Sequence, residues 1–155
     1  MNDLRELYQD VILDHNRKPR NFRVLAGANR GAEGHNPLCG DHIALALTVE
    51  DGVITDAAFQ GEGCAISRAS ASLMTDSVIG KPAAEVRKLF HQVHAMLTGE
   101  PVAAGDLGKL AVFEGVREFP ARVKCAALPW HALQAALDDT GRSVTTEGEG
   151  GLPGG

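Results

Sequence analysis

The chain has 155 residues, 44% of them hydrophobic and 23% charged, proportions that suit one globular domain with its own core and exclude a fibre or a linker. A formal net charge of −5 offers no long-range attraction to nucleic acid or anionic lipid. The charged start, Met1-Asn2-Asp3-Leu4-Arg5-Glu6, does not read as a secretory leader, and no apolar run approaches the roughly 18 residues of a membrane span. A soluble, cytoplasmic protein with no nucleic-acid or membrane partner is expected. Its three cysteines, Cys39, Cys64 and Cys125, cannot all pair with one another. A reducing compartment disfavours disulfides in any case, which directs attention to metal binding or thiol chemistry.

Leu4, Leu7, Tyr8, Val11 and Ile12 fall at helical spacing, with Asp3 and Glu6 placed as a capping box. This first helix is expected to end near Asn16, before Arg17-Lys18 and the stop at Pro19. The stretch from Arg20 to Asn36 is polar and contains glycine. Ile43, Leu45, Leu47 and Val49 alternate with smaller or polar residues, and after Asp51-Gly52 a second run goes from Val53 to Phe59, the pattern of a β-hairpin. Gly61-Glu62-Gly63-Cys64 breaks the strand. Ile66, Ala69, Ser70, Leu73, Met74, Ser77 and Val78 then form one helical face that ends at Gly80.

Pro82 opens a further helix with Val86, Leu89, Phe90, Val93 and Leu97 on one face and Gly99 as its stop. A loop follows from Glu100 to Gly105, and then a short helix around Leu107, Leu110 and Phe113. From Pro120 the last helix carries Val123, Ala126, Trp130, Leu133 and Leu137, with Pro129 expected to kink or split it. Beyond Asp139 the chain has too little apolar surface to offset the entropy of ordering. The expected organisation is a single α+β domain over residues 1–139, a small antiparallel sheet (the hairpin plus a further strand) packed by helices, and a disordered tail over 140–155.

Cys39 stands in Asn36-Pro37-Leu38-Cys39-Gly40-Asp41, at the entry to the hairpin, with the Asp41 oxygen two residues on. Cys64 follows a glycine-rich break and opens a helix, where free N–H groups favour a thiolate. Cys125 follows Arg122 and Lys124, whose charges offset negative charge at a shared site. Convergence of the three segments would give three thiolates and one carboxylate, a set suited to tetrahedral zinc. Around a divalent ion that shell carries a formal −2, for which Arg122 or Lys124 is a sensible partner. Cysteine is also among the most buried residue types, so scattered cysteines suit plain core packing; two of these three stand in glycine-rich breaks, which weighs against that. His91 and His94, at i, i+3 on an amphipathic helix, read as solvated side chains rather than ligands. His42 is expected on the face opposite to Asp41 if a strand begins there. His15, His35 and His131 have no recognisable partner.

Taken together, Leu7-Tyr8, Asp14-His15, Lys18-Pro19-Arg20-Asn21, Asn36-Pro37 before Cys39-Gly40-Asp41, Gly61-Glu62-Gly63-Cys64-Ala65-Ile66-Ser67 and Arg122-Val123-Lys124-Cys125 resemble the iron–sulfur cluster assembly family typified by IscU and the N-terminal part of NifU. The likeness runs from about Leu4 to Leu137. Lys124 stands where the IscU-type pattern has a histidine, and the stretch from about Gly99 to Phe119 looks like the extra segment of the SufU branch; both features resemble SufU more closely. Pro129 departs from the helix-compatible residue expected there.

The resemblance implies a SufU/IscU-like fold and a zinc-dependent sulfurtransferase that takes persulfide sulfur from a SufS-type cysteine desulfurase and serves downstream iron–sulfur assembly proteins. Cys39, Asp41, Cys64 and Cys125 become the zinc ligands, Cys39 the persulfide acceptor and Arg122 a residue that assists release or docking. Three other readings stay open: a scaffold holding an iron–sulfur cluster transiently on the same residues, a zinc-stabilised adaptor without chemistry, and a zinc hydrolase. Four protein ligands would leave the hydrolase no water position, which ranks it last.

Overall fold

The computed structural model describes residues 2–37, 40–100, 107–138 and 143–145. The elements run α1 (Asn2–Arg17), β1 (Arg30–Asn36), β2 (Asp41–Glu50), β3 (Val53–Glu62), α2 (Ala65–Val78), α3 (Ala83–Leu97), a 3-10 helix (Gly108–Glu118), α4 (Pro120–Leu137) and β4 (Ser143–Thr145). The α+β class and the hairpin follow the alternation in the sequence. The side chains of the Asp3/Glu6 capping box and the loop residues 101–105 lie outside the described residues. No helix among the described residues is long and apolar enough to cross a membrane.

The sheet order is β3-β2-β1-β4. The first three strands form an antiparallel meander, with Asn36 paired to Asp41 and Ile43 paired to both Gly34 and Gly61. The further strand is therefore β1, inside the polar, glycine-containing stretch from Arg20 to Asn36. Its inward positions are Ala32, Gly34 and Asn36, too small or too polar to show as apolar alternation.

Within 140–155, Ser143–Thr145 pairs in parallel with Glu33–His35 of β1. An open strand edge offers backbone partners that need no apolar side chains. The rest of that tail lies outside the described residues.

One face of the sheet is covered by helices. Ile43, Leu45 and Leu47 of β2 and Ile54, Ala57 and Phe59 of β3 meet Leu73, Met74 and Val78 of α2 and Leu128, Trp130 and Leu133 of α4 in one buried cluster. The small residues of α2 allow close approach, and Ser70 Oγ donates to the Ala126 carbonyl at 2.6 Å, tying α2 to α4. The short helix expected near Leu107 is the 3-10 helix, whose Leu110, Phe113 and Val116 join the same core. Pro129 does not split α4, which is continuous from Pro120 to Leu137. Pro129 is buried with its neighbours Leu128 and Trp130, and that packing outweighs the one lost backbone bond.

The motifs around α1 are structural. Arg20 pairs with Asp14 at 2.8 Å on the surface. His15 is buried, and its Nδ1 lies 2.7 Å from Ser72 Oγ, which also accepts the Arg20 N–H at 2.8 Å. A hydroxyl accepting from Arg20 can donate its own proton to Nδ1, which suits a neutral ring protonated at Nε2. Burial, and then the Arg20 charge, hold the His15 pKa below the usual imidazole value. Asn21, at φ 63°, donates Nδ2 to Thr75 Oγ1 at 3.0 Å, while its carbonyl accepts the Phe59 N–H at 2.9 Å. The segment after α1 is thereby fastened to both α2 and the outer edge of β3.

Candidate metal centre

At one end of the sheet the β1–β2 turn, the start of α2 and the first turns of α4 converge. The Gly40 N–H donates to the Asn36 carbonyl at 2.8 Å, which closes the turn and sets Asp41 as the first inward residue of β2. Asp41 is 2% exposed. Its Oδ1 accepts the Cys64 backbone N–H at 2.8 Å, and its Oδ2 faces Cys64 Sγ at 3.8 Å. Cys64 is the N-cap of α2, where its sulfur accepts the Ser67 N–H at 3.5 Å. Cys125 is fully buried in α4 and its sulfur takes a hydrogen bond from Asn36 Nδ2 at 3.5 Å.

The ligand atoms of Asp41, Cys64 and Cys125 all lie within 4.8 Å of one another. Space for this meeting depends on Gly63: a Cβ there would press on Ser67 Oγ and sit 2.8 Å from Asp41 Oδ1.

This donor set fits a soft or borderline divalent ion. Among the described residues the Asp41 carboxylate receives one N–H, and its other oxygen meets only sulfur. Burying a carboxylate so sparsely hydrogen-bonded is costly unless a cation joins it. Two thiolates with one carboxylate match zinc, with bonds of about 2.3 Å to sulfur and 2.0–2.2 Å to oxygen, and the thiolates also match an iron–sulfur cluster.

Three of the four residues expected as ligands are therefore brought together. The fourth, Cys39, lies outside the described residues, although peptide connectivity leaves it two residues from Asp41. Arg122 is exposed in the first turn of α4, one helical turn before Cys125, and Lys124 is half-buried beside it. Asn36 is a partner that sequence reasoning did not assign. Its polar side chain at an inward strand position, 1% exposed, is legible only once β1 is known to be a strand. The histidine expectations divide. His91 and His94 are exposed on α3 beside Phe90, and His42 does face away from Asp41. His15 and His35, which had no evident partner in the sequence, have Ser72 and His42 respectively.

The family model for the NifU-like N-terminal domain matches residues 7–140. The zinc-dependent sulfurtransferase SufU of Bacillus subtilis is 42% identical over 139 residues, covering 87% of this chain and 92% of the relative. The iron–sulfur cluster assembly scaffold protein IscU of Thermotoga maritima is 40% identical over 136 residues, covering 88% and 96%. Among solved structures, a putative iron–sulfur cluster assembly scaffold protein for the SUF system from Fervidobacterium islandicum superposes with a TM-score of 0.80 at 34% identity, covering 83% of this chain and 94% of that one. The buried Asp41–Cys64–Cys125 cluster thus lies in a chain that belongs to the NifU-like N-terminal domain family of iron–sulfur cluster assembly proteins.

Proposed function

We propose that this chain is a zinc-dependent sulfur acceptor of iron–sulfur cluster biogenesis, working in the cytoplasm with a SufS-type cysteine desulfurase and passing sulfur to downstream assembly proteins. The observation that carries the reading is the buried mixed donor set of Asp41, Cys64 and Cys125, with a third cysteine tethered two residues from Asp41. Lys124 in place of a histidine beside Cys125 supports sulfur transfer, and the 42% identity to a protein named as a zinc-dependent sulfurtransferase is consistent with it.

Held by these residues with Cys39, zinc would keep the thiolates deprotonated and restrain their reactivity. Asp41, the one oxygen donor, is the least matched to a sulfur-rich site, which leaves the set more exchangeable than four cysteines. Cys39, between β1 and β2 in the sequence, is the ligand that the family resemblance assigns as persulfide acceptor. In the transfer its thiolate attacks the terminal sulfur of the desulfurase persulfide. A new S–S bond forms at Cys39 as the old one breaks, and the desulfurase cysteine departs as a thiolate, so the exchange involves no net redox change. The exposed Arg122 supplies positive charge for docking and for the departing thiolate.

The test has two readouts. Protein purified without oxygen from its own cells should hold about one zinc per chain and no acid-labile sulfide. With the desulfurase and cysteine, the wild type should gain one sulfur atom by mass spectrometry, and Cys39→Ser should neither gain it nor stimulate the desulfurase. A Cys39→Ser protein that does both would overturn the sulfur-acceptor reading. Zinc without any sulfur uptake by the wild type would indicate an adaptor. Iron with matching sulfide would establish the second reading, a scaffold for a transient cluster, which the same donors support and which the name of the Thermotoga maritima relative favours.

A further inference from the structure

We propose that Glu33, His35 and His42 form a second metal site, for a borderline divalent ion of the zinc type, on the face of the sheet opposite the cysteine centre. Successive strand residues point to opposite faces. Asp41 turns into the core, and His42 therefore turns outward. The register pairs His42 with His35 and places Glu33 two residues along β1 on the same outer face. The two imidazole rings stack across the strands, with centroids 4.5 Å apart and planes 21° from parallel. His42 Nε2 lies 3.0 Å from Glu33 Oε1. One ligand atom from each of the three residues falls within 4.8 Å of the other two.

Two nitrogens and a carboxylate are the donors of zinc, cobalt, nickel or copper rather than of magnesium or calcium, which take all-oxygen shells. Ligands at about 2.1 Å in tetrahedral geometry stand about 3.4 Å from one another. The 3.0 Å between His42 Nε2 and Glu33 Oε1 is shorter than that separation and all three ligand atoms lie within 4.8 Å, so an ion would draw the stacked rings to turn their nitrogens toward it. Glu33 and His35 are exposed and His42 half-buried, leaving at least one position for water or an incoming ligand. The site shares no residue with the cysteine centre and does not depend on the sulfur-transfer reading. The bland account of the same geometry is a surface Glu–His ion pair with a neighbouring ring, worth little and binding nothing.

The experiment is an anaerobic titration of the full, metal-free chain with cobalt(II). A thiolate-bound ion gives intense sulfur-to-metal charge-transfer absorption, whereas a nitrogen–oxygen site gives only weak ligand-field bands. We expect two equivalents in the wild type, one with charge transfer and one without. His35→Ala and Glu33→Ala, both exposed positions, should each weaken the second equivalent about tenfold or more and leave the first unchanged. Equilibrium dialysis at about 100 μM free zinc should show one zinc fewer in His35→Ala. A wild type lacking the equivalent without charge transfer, or variants that retain it, would overturn the proposal. Failure of the cysteine centre would instead remove the charge-transfer band and leave the ligand-field increment and its loss in His35→Ala readable.

Discussion

Asp41 and His42 are neighbours in β2, and their side chains meet opposite conditions. On the inner face a carboxylate is buried against two sulfurs with one N–H for company. Water cannot complete that shell, so an ion bound there is coupled to the folded state. On the outer face His42, Glu33 and His35 satisfy one another or meet solvent, so the fold stands without an ion there, and an ion would add only the stability that its affinity for the folded chain supplies. The difference teaches that ligand chemistry alone does not set a site's role: depth decides how costly the donors are to the fold when no ion is bound.

The largest predicted effect removes both faces at once. Gly61 has φ 138°, and a Cβ there would run into the His42 carbonyl. Gly61→Ala should destabilise the domain by about 3 kcal/mol or more in urea unfolding; a loss under about 1 kcal/mol would mean that β2 and β3 yield easily. Next comes the metal linkage. Zinc at about 100 times its dissociation constant should raise unfolding free energy by about 2.7 kcal/mol over chelated protein. Cys125→Ala should abolish that increment and His35→Ala should preserve most of it; the reverse pattern would break the distinction between inner and outer face.

A buried polar group away from either metal set gives a middle case. Ser72→Ala strips partners from both His15 Nδ1 and the Arg20 N–H and should cost about 1–3 kcal/mol. His15 also makes stability depend on pH. Its folded pKa is depressed, chiefly by burial, so the unfolded chain binds the proton more readily. The stability is present above the unfolded value of about 6.5 and is lost as pH falls from there through the folded value. His131, depressed by burial and then by His94, acts with the same sign. Unfolding curves of the wild type and His15→Gln should diverge at neutral pH and converge under acid. The smallest effect is expected outside: His35→Ala in metal-free protein should change stability by no more than about 0.5 kcal/mol.

Much of this molecule could be read in one dimension. The helical faces of α2 and α3, the hairpin of β2 and β3, and the stops at Gly80 and Gly99 are local matters of periodicity and turn chemistry, which the chain carries residue by residue. So are Asp41, Cys64 and Cys125 as candidate ligands, since the first two stand beside glycines at breaks and Cys125 follows Arg122 and Lys124. The misses share another cause. β1 lacked apolar alternation because Gly34 and Asn36 fill its inward positions, and without β1 neither the Asn36 contact to Cys125 nor the meeting of His35 with His42 could be foreseen. Pro129 signalled a break that packing around Leu128 and Trp130 overruled.

Sequence by itself determined which residues are chemically able to hold a metal and which segments prefer helix or strand, because those properties reside in side chains and their near neighbours. Tertiary structure alone decided which donors meet and whether they meet in the core or in solvent. Those contacts join β1, β2, α2 and α4 across as many as 89 positions of chain, as between Asn36 and Cys125, and only the closed sheet and its covering helices bring such positions together.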